Sequence, residues 1–206
     1  MAGVGDFPTM ATGSEDLGSG WIRFQSSNNL DKFLEKHKPS KETDPNVFWI
    51  YVQSPQIPAK TPTELTGVLD QWNQLTDSGA EVTPEDVKAL AAAAGFTTGK
   101  WMVFRKSQAV DEAWSIIAKA TIEGRLGTAA KVSSRSSAQD TQGQKHVICV
   151  YTKDFTDTED VFRVEKELRS LDINGPLWYK ADIYTTLGIY AKNPWGLRPS
   201  LHNTDS

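Results

Sequence analysis

Thr128-Ala129-Ala130-Lys131-Val132-Ser133 and His146-Val147-Ile148-Cys149-Val150-Tyr151-Thr152 are the two runs on which the architecture turns. Both suit a pleated, half-buried strand. Between them lies only the Ser/Gln-rich stretch 134–144, which reads as a loop and is too short for the crossover helix that parallel strands need. The two runs are therefore expected to pair as an antiparallel hairpin. Alternation then assigns faces. Ala130 and Val132 point one way and Lys131 and Ser133 the other; Ile148 and Val150 oppose Cys149 and Tyr151, with Lys153 just beyond.

Other segments read outward from this pair. Trp21-Ile22-Arg23-Phe24 is a short strand, and Asn28 can cap a helix carrying Leu30, Phe33, Leu34 and His37. The continuous run Val47 to Val52 has the profile of a strand buried on both faces. Thr61-Pro62-Thr63-Glu64 and Thr83-Pro84-Glu85-Asp86 each place a hydroxyl, a first-turn proline and a carboxylate where a helix start uses them. The first of these helices should bury Leu65, Val68, Leu69, Trp72 and Leu75, and the second Val87 and Leu90. After Gly99-Lys100, residues 101–104 read as a strand, and Val110, Trp114, Ile117 and Thr121 form a helical stripe. A further helix begins near Thr156 or Asp157, and 177–190 holds a long strand or two. These elements predict an α+β fold: a curved, mainly antiparallel sheet with helices packed on one face.

Composition sets outer bounds. The chain has 206 residues, 38% of them hydrophobic, with seven Trp, eight Phe and five Tyr. That aromatic supply argues for a folded unit and against wholesale disorder. Residues 1–20 are expected to be a disordered tail, and 21–200 a single domain. The tail has no basic residue and does not read as a signal peptide. No apolar run approaches the ~20 residues that span a bilayer, so no membrane is expected. A lone cysteine, Cys149, excludes an internal disulfide framework. It points to a reducing compartment, cytoplasmic or nuclear. Three scattered histidines lack metal-ligand spacing, so neither metal nor cofactor is expected. The net charge of −4 divides unevenly: residues 1–95 hold 7 basic and 13 acidic side chains, residues 96–206 hold 15 and 13. An acidic average argues against a non-specific DNA-coating protein but leaves local phosphate binding open.

The polar face of the sheet carries the functional expectation. In 178–186, Trp178, Lys180, Asp182, Tyr184 and Thr186 oppose Tyr179, Ala181 and Ile183. The open face would then collect Lys131, Ser133, Trp178, Lys180, Asp182 and Tyr184, with Arg135 and Lys153 at its rim and Trp195 presented by the Asn193-Pro194 turn. Ammonium groups beside hydroxyls and an indole suit an anionic ligand with a flat ring, such as a nucleotide or single-stranded RNA. The competing reading is a face that is merely solvated. Trp72, Trp101 and Trp114 fall at core periodicities, and Cys149 reads as structural.

Gly99-Lys100-Trp101-Met102-Val103-Phe104, Asp111-x-x-Trp114, Gly124-x-Leu126-Gly127, Ala130-Lys131-Val132-Ser133, Tyr179-Lys180-Ala181-Asp182 and Gly188-Ile189-Tyr190-x-x-Asn193-Pro194-Trp195-Gly196-Leu197 occur together. In this respect the chain, over roughly 45–200, resembles the basophilic leukaemia-expressed protein family. The resemblance implies a fold similar to the messenger-RNA cap-binding initiation factor 4E. It also implies a dorsal-helix role for Trp72 and places Arg135 near a phosphate-contacting loop. Cap binders sandwich the methylated base between two loop tryptophans, and loops 53–61 and 76–98 here contain none. Cap recognition of the usual kind is therefore not expected.

The function expected from the sequence is a non-enzymatic binding module for RNA or nucleotide phosphates on the open sheet face. One alternative is a protein-interaction adaptor using the helical face around Trp72. The other is a lyase or phosphoesterase with Lys131 or Lys180 as base, Tyr184 or His146 as acid, and Arg135 on a phosphate. No nucleophile elbow or paired carboxylates support the last.

Overall fold

The computed structural model describes residues 20–25, 28–57, 66–138 and 145–205. The tail expected over 1–20, except Gly20, the helix start at 61–64, and loop residues 139–144 lie outside them. The described residues form strands β1 (Trp21–Arg23), β2 (Trp49–Gln53), β3 (Gly99–Lys106), β4 (Ala129–Ser133), β5 (Lys145–Thr152), β6 (Leu177–Ala181) and β7 (His202–Thr204). The helices are α1 (Leu30–Lys36), α2 (Thr66–Asp77), α3 (Pro84–Ala93), α4 (Ser107–Ile122), α5 (Arg135–Ala138), α6 (Thr158–Ser170) and α7 (Asp182–Thr186), with a 3-10 turn at Pro39–Lys41.

The strands form one sheet in the order β1-β2-β4-β5-β3-β6-β7. Only β1 and β2 run parallel; every other pair is antiparallel. The expected hairpin is present, with Lys131 opposite Cys149 and Ala129 opposite Tyr151. One face is apolar. Ile50, Val52, Trp101, Val103, Ile148, Val150 and Tyr179 are fully buried there, together with Val110, Trp114 and Ile117 of α4 and Val161 and Val164 of α6. Trp101 Nε1 donates to the Val161 carbonyl at 2.8 Å, tying β3 to α6. The sheet is thus a curved α+β sheet with a helix-backed face and an open face.

Several local expectations hold through the chemistry that suggested them. Thr83 caps α3 in a reciprocal box: its hydroxyl accepts from Asp86 N at 3.3 Å, and Asp86 Oδ2 accepts from Thr83 N at 2.8 Å. At α1 the cap is Asn29 and not Asn28. Leu69 is exposed on α2, while Trp72 is buried.

Besides the α1 cap and the burial of Leu69, two larger expectations are corrected. The 47–52 run is not buried on both faces, because Trp49 and Tyr51 are half-buried on the open side while Ile50 and Val52 are buried. Residues 177–190 are not one long strand. β6 stops at Ala181 and α7 follows. Asp182 N donates to the Thr98 carbonyl, which pulls the chain out of the sheet's line. Gly188, at φ 72°, then closes the helix, with Ile189 N bonded to Tyr184 O and Gly188 N to Thr185 O. That is a Schellman termination, which needs the left-handed residue glycine supplies.

Candidate functional site

Strand registers align the open face in rows. Arg23 lies opposite Tyr51, Tyr51 opposite Lys131, Lys131 opposite Cys149, Cys149 opposite Met102, and Met102 opposite Trp178. A second row joins Gln53, Ala129, Tyr151, Lys100 and Lys180. A third pairs Trp21 with Trp49 and Trp49 with Ser133. Successive strands lie ~4.8 Å apart. Lys131 and Lys180, on β4 and β6, are therefore separated by three strand spacings and bridged by Lys100 on β3.

Lys131 is held by aromatic rings. Its Nζ is 3.9 Å from the Trp49 ring centroid, 4.8 Å from Trp21 and 5.8 Å from Tyr151. It makes no hydrogen bond or ion pair with any described residue. Such cation–ring contacts contribute about 0.5–2 kcal/mol each. Burial lowers the Lys131 pKa from the ordinary lysine value, and Lys100 pushes the same way. Trp21 and Trp49 are 6.1 Å apart with planes 31° from parallel. The Arg23 guanidinium lies 5.6 Å from Trp21 and 5.9 Å from Tyr51.

The other two lysines are anchored. Lys100 Nζ donates to Asp182 Oδ1 in a buried ion pair. Burial works against its charge, but the Asp182 carboxylate prevails and raises the Lys100 pKa. Asp182 Oδ2, also buried, has no hydrogen-bond partner. Lys180 donates to the Ile189 carbonyl at 2.9 Å and sits 4.0 Å from the Tyr190 ring centroid. Burial, reinforced by Lys100, lowers its pKa from 10.5 to about 8. The unfolded chain therefore holds more protons than the folded one between those values, and stability rises with pH across that window. Measured as wild type minus Lys180→Met by urea denaturation, the gain from pH 8 to above 10 should be about 1–2 kcal/mol, because solvent screens part of the shift. A flat difference would mean that the amine is not buried as described.

Only some of the expected site residues gather. Lys131, Trp178, Lys180 and Asp182 share the open side, with Trp178 edge-on to Phe104 at 5.4 Å. Ser133 is buried, and its hydroxyl is used by Val147 N at 3.0 Å. Arg135 opens α5 beyond the end of β4, whereas Lys153 follows the far end of β5. Antiparallel pairing puts these two about 20 Å apart along the hairpin. Lys153 borders a separate 240 Å³ depression with Gly127, Asp157, Asp160 and Arg163. Because α7 replaces strand, Tyr184 is buried on the helical side, lining a 420 Å³ groove with Thr83, Pro84 and Trp195. Trp195 packs edge-on against Trp72 at 4.7 Å. Trp72 is only 4% exposed, so docking on its ring is closed. His146 lies on the helix-backed face, so the lysine, tyrosine, histidine and arginine of the enzymatic alternative do not converge.

The sequence reading missed Trp21, Arg23, Trp49, Tyr51, Lys100 and Tyr151. The available signal was period-two alternation in Trp21-x-Arg23 and Trp49-x-Tyr51-x-Gln53. Among the described residues, no cluster of His, Cys, Asp or Glu could hold a metal ion, and no helix is long and apolar enough to cross a membrane.

Among solved structures, Ascaris suum eIF4E-3 with m7G cap is 15% identical over 77% of this chain and 94% of that one, at a TM-score of 0.38. C. elegans eIF4E-3 with the 4E-binding protein Mextli and a cap analog is 15% identical over 71% and 93%, at 0.37. Schistosome eIF4E with m7GpppA and 4E-BP is 11% identical over 52% of this chain, which spans 59% of that one, at 0.38. A family model described as basophilic leukemia-expressed protein Bles03 matches residues 68–188.

Proposed function

The chain belongs to the Bles03 family, whose model spans more than half of it, and we propose that it is a binding module for RNA or nucleotide phosphates on the open sheet face. The observation that carries this reading is Lys131: a half-buried ammonium, pressed on Trp49 and Trp21, with no carboxylate to neutralise it. Lys100, Lys180 and Arg23 add charge along the same face, and the Asp182 carboxylate, in direct ion pair with Lys100, also favours the charged forms of Lys131 and Lys180. A phosphate would complete the hydrogen bonding of Lys131, and a nucleobase would stack on an indole. Trp21 and Trp49 already touch each other, so a base stacks on an outer ring face and not between them. Such a role suits the cytoplasmic or nuclear setting expected from a single buried cysteine.

Fluorescence anisotropy with an end-labelled ten-nucleotide RNA, with GTP and ATP as competitors, tests the reading. Lys131→Met keeps the apolar stem and removes the charge, and should weaken binding by roughly tenfold or more. Lys153→Ala, at the far end of the hairpin, should leave affinity unchanged. Equal affinity of wild type and Lys131→Met, or no binding by wild type, would overturn the proposal.

A further inference from the structure

Ser107, His146 and the Ser133 carbonyl form a chain of hydrogen bonds that the open face does not use. His146 is fully buried on β5. Its Nδ1 lies 2.8 Å from the Ser133 carbonyl oxygen, and its Nε2 lies 3.0 Å from Ser107 Oγ. A carbonyl oxygen can only accept, so Nδ1 carries the ring proton of the neutral imidazole. Nε2 is then left with a lone pair, and the Ser107 hydroxyl donates to it. A nucleophile donating to a base, with the base oriented by a third group, is the arrangement that activates serine.

The surroundings fit this assignment. Ser107 is half-buried, so its oxygen can be approached while the imidazole is shielded. It is the first residue of the 16-residue α4, one position beyond the place where a serine caps a helix, and Lys106 at that place provides no side-chain cap. The hydroxyl is thus committed to the imidazole, and the first-turn N–H groups of α4 lie next to it with their partial positive charge.

We propose that Ser107 is a nucleophile activated by His146, and that it accepts acyl groups from small esters. Ser107 Oγ bonds to the acyl carbon as its proton passes to His146 Nε2. The bond to the leaving oxygen breaks, and the imidazolium returns that proton to it. Water then adds to the acyl-serine carbon, giving a proton to Nε2. The acid is released as that proton goes back to Ser107 Oγ. This goes beyond the open-face reading and does not depend on it.

Labelling of the full chain with a fluorophosphonate probe, followed by peptide mapping, tests the assignment. The native chain should carry one adduct, on Ser107, formed roughly 100-fold faster than in the same chain unfolded in urea. Ser107→Ala should lose the adduct while still melting cooperatively as a folded chain, a few degrees lower because the buried His146 Nε2 loses its partner. Absence of labelling in the native chain, labelling elsewhere, or equal rates in folded and unfolded chain would each overturn the proposal and leave the serine as a structural partner of a buried histidine.

Discussion

Gly127→Ala should be among the most damaging single-methyl changes available to this protein, at about 3 kcal/mol or more, or roughly 6–12 °C in melting temperature. Gly127 enters β4, and a Cβ built on it would fall well inside contact distance of the Tyr151 carbonyl oxygen on β5. That oxygen accepts from Thr128 N at 2.9 Å, the bond that starts the β4–β5 ladder. Backbone on one strand meets backbone on the next, so no rotamer can relieve the clash. The ladder carrying Lys131 must part or shift. Gly188→Ala provides the comparison. It also strains a positive φ, but no atom lies within 4 Å of the added carbon, and about 1–2 kcal/mol is expected. Thermal melts of both variants decide the point, and Gly127→Ala proving no worse than Gly188→Ala would refute the packing argument.

Local chemistry made part of this fold readable. The β4–β5 hairpin follows from two alternating runs and a short connection, and α3 from a cap whose donors and acceptors lie three residues apart. What failed was non-local. The alternation of Trp178 and Lys180 was carried past Ala181, where it no longer applied, because the bond from Asp182 N to Thr98 joins segments more than 80 residues apart. Tyr184 left the expected site with that turn. Trp21 and Trp49 became an aromatic pair only through the parallel pairing of β1 with β2, a register that neither segment encodes by itself. Arg135 and Lys153, expected at the rim, lie at opposite ends of the hairpin. Strand direction alone separates them, and that direction was already implied by the hairpin. Lys180 pointed to the expected side, yet the Ile189 carbonyl took up its ammonium.

Asp182→Ala should destabilise the protein by about 3–5 kcal/mol at pH 7, because it strands the buried Lys100 charge without a partner. The neighbours make matters worse. Lys180 and Lys131 are both close enough to interact electrostatically with Lys100, and each is already discouraged from holding its proton by burial. In the wild type the folded-state pKa of Lys100 is raised, so its contribution is present below the ordinary lysine value and is lost as pH climbs through the raised one. In Asp182→Ala the sign reverses. Burial and the adjacent ammonium favour the neutral amine, so the deficit against wild type should shrink as pH rises above neutrality. Lys100→Met in the Asp182→Ala background removes the stranded charge, and should recover most of the loss, since a buried pair replaced by apolar groups is often nearly neutral. Urea denaturation at pH 7 and near 10 distinguishes the outcomes. A single-variant cost below about 1 kcal/mol would place the pair among screened surface bridges. A double variant no better than the single would mean that Asp182 acts through its backbone turn into α7 and not through the charge of Lys100.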